Sequence, residues 1–340
     1  MIVRFGFVAM SLLLENASPS RTMTYTNFAK LDDREAGLAR LERIAEDNLQ
    51  NTLRILKNNR YSDIHMYRFS SKLIPLATHE ALKDWNPYPA LAASFAEIGE
   101  FVRKHGMRVS FHPDHFCVFS TPRPEVLAKS EEDLEHHLRM LEAMGLDERY
   151  KCNIHVGGAY GDKPTSGERF IRQFEALDAR LRNRVTLEND DKTFNVRETL
   201  DIAERTGNPV VLDIHHHWVN AGGETPESLH GELWPRIVQT WMKEQDRLGL
   251  DGGPDGLPPK IHVSSPKSLS DPRGHADHVE PGQLLEFLRG VKDSVPNLDC
   301  MLEAKAKDQA LTTLMDEMRR LADAGENIRI VDGSTIELQR

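Results

Sequence analysis

The sequence predicts an α/β protein folded as a single closed (β/α)8 barrel, the TIM-barrel architecture. Three observations predict it. Eight short apolar runs alternate with eight amphipathic runs over 340 residues, the strand-then-helix rhythm of a parallel sheet. No Gly-rich phosphate loop follows the first strand, which argues against an open doubly wound sheet. Ionisable residues stand at the ends of six consecutive strands, and a closed barrel collects its chemistry at strand C-termini.

Residues 2–8 form the first apolar run, and a polar loop follows. Residues 34–57 carry Leu38, Leu41, Ala45, Leu49, Leu53 and Leu56 at helical spacing. Residues 64–69 and 107–111 read as strands two and three, separated by a helix over 88–105. A helix over 130–144 is expected to open at Ser130 and stop at Gly145. Strand four covers 152–156, followed by a helix over 166–181. Strands five and six are the runs ending at Glu188 and Asp213, with a helix over 196–206 between them. A helix over 224–247, a strand over 260–263 and a helix over 281–290 come next. A strand over 300–303 and a helix over 308–324 complete the eight units. Residues 1–340 are therefore expected to form one domain. Residues 249–259, rich in Gly, Asp and Pro, are expected to be a surface insertion.

The formal net charge is -10, which excludes a protein that coats nucleic acid through bulk charge. It does not exclude a nuclease, because bound divalent ions add local positive charge. Cys117, Cys152 and Cys300 have no ligand-like spacing and read as reduced core thiols. No run approaches the ~20 apolar residues of a membrane span, and Arg4 alone makes a poor signal-peptide n-region. A cytoplasmic protein is expected.

The third strand delivers His112 and the fourth His155. The fifth delivers Glu188, and the sixth Asp213 with His216 just beyond. The seventh carries Lys260 and His262, with His275 in its loop, and the eighth ends at Glu303. A buried ion pair or a histidine-rich surface loop could explain any one of these. Six strands in register need a shared purpose, since an unpaired buried ion costs several kcal/mol. Mixed N/O donors suit Mn2+, Zn2+ or Fe2+. The donor supply exceeds one ion's needs, so two or three divalent ions are expected, with Glu188 placed to bridge. Several ions at short spacing suit phosphate ester hydrolysis.

On these residues the chain resembles the UV damage endonucleases of the apurinic endonuclease/sugar isomerase barrel superfamily. The likeness runs over nearly the whole length. Its motifs are Arg-Phe-Gly-Phe from Arg4, Tyr-Arg-Phe-Ser-Ser from Tyr67, Pro-Leu-Ala-Thr-His from Pro75 and Ser-Phe-His-Pro from Ser110. They continue with Asn-Ile-His-Val-Gly-Gly from Asn153, Leu-Glu-Asn-Asp-Asp-Lys from Leu187, Lys-Ile-His-Val-Ser-Ser-Pro-Lys from Lys260 and Glu-Ala-Lys from Glu303.

The resemblance implies a DNA repair endonuclease that nicks immediately 5′ to cyclobutane dimers and 6-4 photoproducts and acts at abasic sites. It implies two to three ions, most often Mn2+. His112, His155 and Glu188 would hold one; Glu188, Asp213, His262 and Glu303 a second; His216 and His275 a third. It further implies Nζ-carboxylation of Lys260 and a catalytic place for His79 beside Glu188 and Lys260. Damaged double-stranded DNA is the implied partner, met by a monomer without a nucleotide cofactor. His115 and Phe116 stand where the family carries a Gln and an aromatic residue that wedge into the duplex. Phe7 and Arg68 are placed with them as DNA contacts. Basic residues expected to flank the site include Arg21, Lys72, Lys163, Lys192, Lys267, Arg273, Lys305 and Lys307. The first loop departs from the family pattern, with extra residues 12–15. A metal-dependent sugar isomerase or epimerase of the same superfamily is the alternative reading.

Overall fold

Eight parallel strands close into a ring in the computed structural model, which describes residues 1–250 and 256–339. The strands are β1 (Ile2–Val8), β2 (Met66–Arg68), β3 (Arg108–Phe111), β4 (Lys151–His155), β5 (Val185–Glu188), β6 (Val210–Asp213), β7 (Lys260–Val263) and β8 (Asn297–Leu302). Each pairs with the next, and β8 pairs back to β1 with Ile2 opposite Asn297 and Phe7 opposite Leu302. The main helices are α1 (Arg34–Tyr61), α2 (Tyr88–Lys104), α3 (Pro124–Ala143), α4 (Lys163–Glu175), α5 (Val196–Thr206), α6 (Trp234–Leu248), α7 (Pro281–Val291) and α8 (Lys307–Asp323). The TIM-barrel expectation therefore holds.

Side chains alternate across each strand, and that parity divides the core in two. Val3, Phe5, Phe7, Tyr67, Phe69, Val109, Phe111, Cys152, Ile154, Val185 and Leu187 belong to one large apolar cluster shared with the helices. The opposite parity points into the barrel, and it is mostly polar. Its apolar part includes a small separate plug of Val8, Met66 and Met301. Below the plug, Asp299 accepts from Arg4 Nε at 2.7 Å and from an Arg108 nitrogen at 2.6 Å. Burial opposes ionisation of Asp299, but the two guanidiniums hold its pKa below the ordinary value.

Several boundaries differ from the sequence reading. The helix expected from Ser130 starts at Pro124, which fits the first helical position because its missing N–H has no partner there. Ser130 lies inside α3, where its hydroxyl caps a neighbouring loop instead. The run over 166–181 is two helices, α4 and a turn at Ala179–Arg182. Residues 251–255 of the expected insertion lie outside the described residues; Leu257 and Pro259 beside them are buried.

Two hairpins had no sequence expectation. Pro266–Ser268 and Asp271–His275 pair only with each other, beyond β7. Ile328–Ile330 and Thr335–Leu338 pair antiparallel, and the second of these strands joins Ile2–Arg4 of β1. It fills the part of the ring where β1 has no contact with β2, whose pairing begins at Gly6. Ser334 Oγ donates to the Asp63 carbonyl at 2.7 Å, and His65 meets Asp332 at 3.1 Å, which pins this closing strand.

Asp299→Ala should leave the buried Arg108 guanidinium without its counter-ion. That loss costs about 3–5 kcal/mol, and a urea denaturation midpoint measures it.

Candidate metal centre

The strand parity that sends Thr186 inward also sends Glu188 inward, at the C-terminal end of β5, where it is fully buried. Four imidazoles converge on it. Its Oε2 lies 3.2 Å from His112 Nε2 and 3.1 Å from His262 Nδ1, and its Oε1 lies 3.4 Å from His216 Nδ1. His155 approaches from β4, with its ring 5.2 Å from His112 and 5.7 Å from His216.

Two donor groups could each hold a metal ion among the described residues: His112, His155 and Glu188, and Glu188, Asp213, His262 and Glu303. Glu188 belongs to both. These are the two donor sets that the family resemblance implies. The expected third pair is also brought close, since His216 and His275 stand 6.3 Å apart, but it joins no larger donor group among the described residues.

His112, His155, His216 and His275 are oriented in one way, whereas His262 turns Nδ1 to the Glu188 and Glu303 carboxylates, at 3.1 Å from each. The Nδ1 of His112 lies 3.0 Å from the Pro113 carbonyl, that of His216 3.0 Å from the Asn189 carbonyl, and that of His275 2.8 Å from the Glu303 carbonyl. His155 Nδ1 is 3.3 Å from the Glu188 carbonyl. A carbonyl accepting from Nδ1 fixes the ring so that Nε2 is the nitrogen left to meet an ion, the arrangement of a metal-binding histidine. Four of the buried atoms without a hydrogen-bond partner lie at the same place: Glu188 Oε1, Asp213 Oδ2 and both ring nitrogens of His262. Native interiors rarely tolerate such orphans, so the donor set fits a bound cation.

Electrostatics agree with that fit. Burial opposes the charged forms of Glu188 and Glu303, yet both are held well below the ordinary carboxylate range, by His262 and His155 and by Arg68 and His262 respectively. Asp213 goes the other way, pushed up to about 6 by burial. Burial lowers His216, but Asp213, Glu188 and Glu303 outweigh it and push it up to about 11. Lys260, buried beneath the centre, donates to Ser110 Oγ at 3.0 Å. Burial first, then Arg108 and Arg68, push its pKa down to about 7.

A family model described as UV-endonuclease UvdE matches residues 3–337. The chain belongs to the UvdE family. It is similar to the UV DNA damage endonuclease of Bacillus pumilus, at 40% identity over 98% of both chains. The UV DNA damage endonuclease of Halalkalibacterium halodurans is also 40% identical, over 99% of both. Among solved structures, SacUVDE superposes with a TM-score of 0.78 at 28% identity, covering 94% of this chain and 99% of its own. Endonuclease IV from Thermus thermophilus shares the fold, with a TM-score of 0.52 at 13% identity, over 95% of this chain and all of its own.

Some residues of this UvdE-family chain sit elsewhere than expected. Phe7 is fully buried and packs edge-on to Tyr67, because its parity faces the helices. It has no surface to offer DNA, and its assignment as a DNA contact is corrected. Arg68 faces inward, and its guanidinium is engaged by the Glu303 carboxylate at the centre. His79 stacks on Tyr25 at 4.1 Å and caps the turn Glu80–Leu82 through Nδ1; it is in neither donor group. His115 and Phe116 do stand out on an exposed loop, their rings 4.1 Å apart.

Residues missed in the sequence complete the centre. Asn153 donates its amide to Glu188 Oε2, and Thr186 Oγ1 donates to Asn153 Oδ1 at 2.8 Å, which fixes the amide's orientation. The signal existed, because Asn153 and His155 are two apart on one strand and share a face. Asn189 braces β6 by exchanging hydrogen bonds with the Asp213 backbone at 2.9 and 3.0 Å. His215 is buried 5.6 Å from His275, edge to face.

Glu188→Gln should lower bound metal by at least one ion per chain, read by elemental analysis of dialysed protein. In the parent, His216 keeps its proton through neutral pH without metal, because its pKa is raised. Metal must displace that proton, so calorimetry in buffers of different ionisation enthalpy should show proton release, and affinity should weaken as pH falls.

Proposed function

We propose that this chain is a metal-dependent endodeoxyribonuclease of DNA repair, one domain over residues 1–340, that nicks the phosphodiester immediately 5′ to UV photoproducts. Cyclobutane dimers, 6-4 photoproducts and abasic sites in double-stranded DNA are its substrates in this reading. The observation that carries it is Glu188, a buried carboxylate common to two donor groups, in a chain of the UvdE family. His112, His155 and Glu188 would hold one ion, Glu188, Asp213, His262 and Glu303 a second, and His216 with His275 a third. Mn2+ suits this mixed N/O set, as do Zn2+ and Fe2+.

Bound divalent ions supply a water activated at neutral pH and positive charge for the phosphoryl oxygens. The protein's own groups supply position. Thr186 and Asn153 lock Glu188, and Arg68 keeps Glu303 ionised and in place. Recognition falls to the exposed Phe116, which offers a stacking face, and His115 beside it. A dimer weakens stacking and pairing, so displacing it costs less than displacing normal bases.

Lys260 would be carboxylated. Its buried amine sits near Arg108 and Arg68, which disfavour a cation and favour an anion. The neutral amine attacks CO2; an N–C bond forms, one C–O double bond becomes a carboxylate, and the amine loses a proton to water. The product is an anion near the two arginines.

An oligonucleotide carrying one dimer should be cut only with divalent metal, and irradiated plasmid should be nicked while ketose–aldose exchange is absent. Phe116→Ala should bring the cutting of dimer-containing and undamaged duplex at least about tenfold closer, with metal content kept; an unchanged ratio removes the wedge. Labelled bicarbonate should give a carbamate carbon signal in the parent that Lys260→Arg lacks, and its absence in the parent refutes carboxylation.

A further inference from the structure

The hairpin Pro266–Ser268/Asp271–His275 adds no strand to the barrel sheet. Its strands pair only with each other, and residues 266–273 are exposed throughout. A lone two-stranded hairpin is marginal in water, yet this one is fastened at its base. Ala276 N donates to the Ser265 carbonyl at 2.9 Å, and Lys305 N donates to the Ala276 carbonyl at 3.0 Å. His275, at the end of its second strand, is held by the Glu303 carbonyl. The hairpin is therefore a projecting arm joined rigidly to the metal centre.

Its tip is unusual in chemistry. Leu269 is more exposed than any other large apolar residue among those described, at 104%. It sits between Ser268 and Ser270, whose hydroxyls lie 3.0 Å apart. Cations flank it on the stem. Lys267 meets Asp271 at 3.6 Å, and Arg273 meets Asp191 at 3.7 Å, both loose, with each cation just over half exposed. Surface pairs of this kind contribute little, so a phosphate can replace either carboxylate.

Position gives the partner. In the closed ring, β3 and β7 are four strands apart out of eight and lie opposite each other. The loop after β3 carries Phe116, and the hairpin follows β7. An exposed apolar tip thus stands on each side of Glu188. We propose that the hairpin is a second DNA-contacting arm, which seats Leu269 against base steps or sugars while Lys267 and Arg273 take phosphates. A two-stranded ribbon fits a duplex groove, and apolar wedges unstack base steps. A duplex would then be held from both sides of the centre, with the scissile phosphate between the arms. This inference rests on the nuclease reading.

The test uses metal-loaded full-length protein and a duplex with one dimer. Leu269→Asp should weaken binding about tenfold or more, with metal content unchanged and cutting at saturating DNA retained. Lys267→Gln with Arg273→Gln should reduce the slope of log affinity against log salt by about two. Cys117, Cys152 and Cys300 are buried, so a photo-crosslinker on Leu269→Cys labels one site and should join to DNA. Parent-like affinity and salt slope, with no crosslink while the parent still nicks, overturn the second arm and leave the nuclease reading standing. A parent that neither binds nor nicks the duplex overturns both. A change in self-association in place of DNA affinity assigns the tip to a second copy and also overturns the proposal.

Discussion

A carboxylate with no access to water has to be answered inside the protein, and Glu188 sets that demand here. The desolvation of an ion this deep is worth several kcal/mol, far more than one hydrogen bond returns. The chain meets it with the Asn153 amide and imidazoles from β3, β4, β7 and the turn after β6. Three of those imidazoles are in turn constrained through a backbone carbonyl. Glu188 Oε1, Asp213 Oδ2 and the ring nitrogens of His262 are left without hydrogen-bond partners, which fits a bound cation. Stability and chemistry are thus coupled through one side chain.

The barrel and the positions of most ionisable groups were legible because strands are periodic. Alternation along β3 to β8 put His112, His155, Glu188, Asp213, His262 and Glu303 on the inner face, and the structure finds them converging. The same alternation condemns Phe7: it shares parity with Val3 and Phe5, which pack against helices. Arg68 was legible as a cation but not as a partner of Glu303, because that contact spans most of the chain. The carbonyls that orient the histidines were not legible at all. Backbone acceptors carry no residue identity, so Pro113, Asn189 and Glu303 left no mark in the sequence for this role. The hairpin beyond β7 was missed for a related reason. Its strands are polar on both faces, and without an apolar face there is no period to read.

The acidic balance of the chain also finds its place. Ion pairs such as Arg180 with Glu135 and Glu142, and Arg236 with Asp201 and Glu204, occupy the outer helices. Lys72, Lys192 and Lys305 are exposed in loops after strands. A net charge of -10 is therefore compatible with a face that attracts phosphate, since screening confines exposed charges to about 8–10 Å.

The strand Thr335–Leu338 covers the edge of β1 that β2 leaves open by pairing with Ile2–Arg4, so that edge waits for a strand synthesised after β8. Until residues 335–338 have cleared the ribosome, the start of β1 is an unpaired edge on the nascent chain. Such an edge recruits other strands. The interval between synthesis of β1 and synthesis of residues 335–338 is thus when this edge is open to other strands, and deleting residues 335–338 would leave it open in the folded barrel.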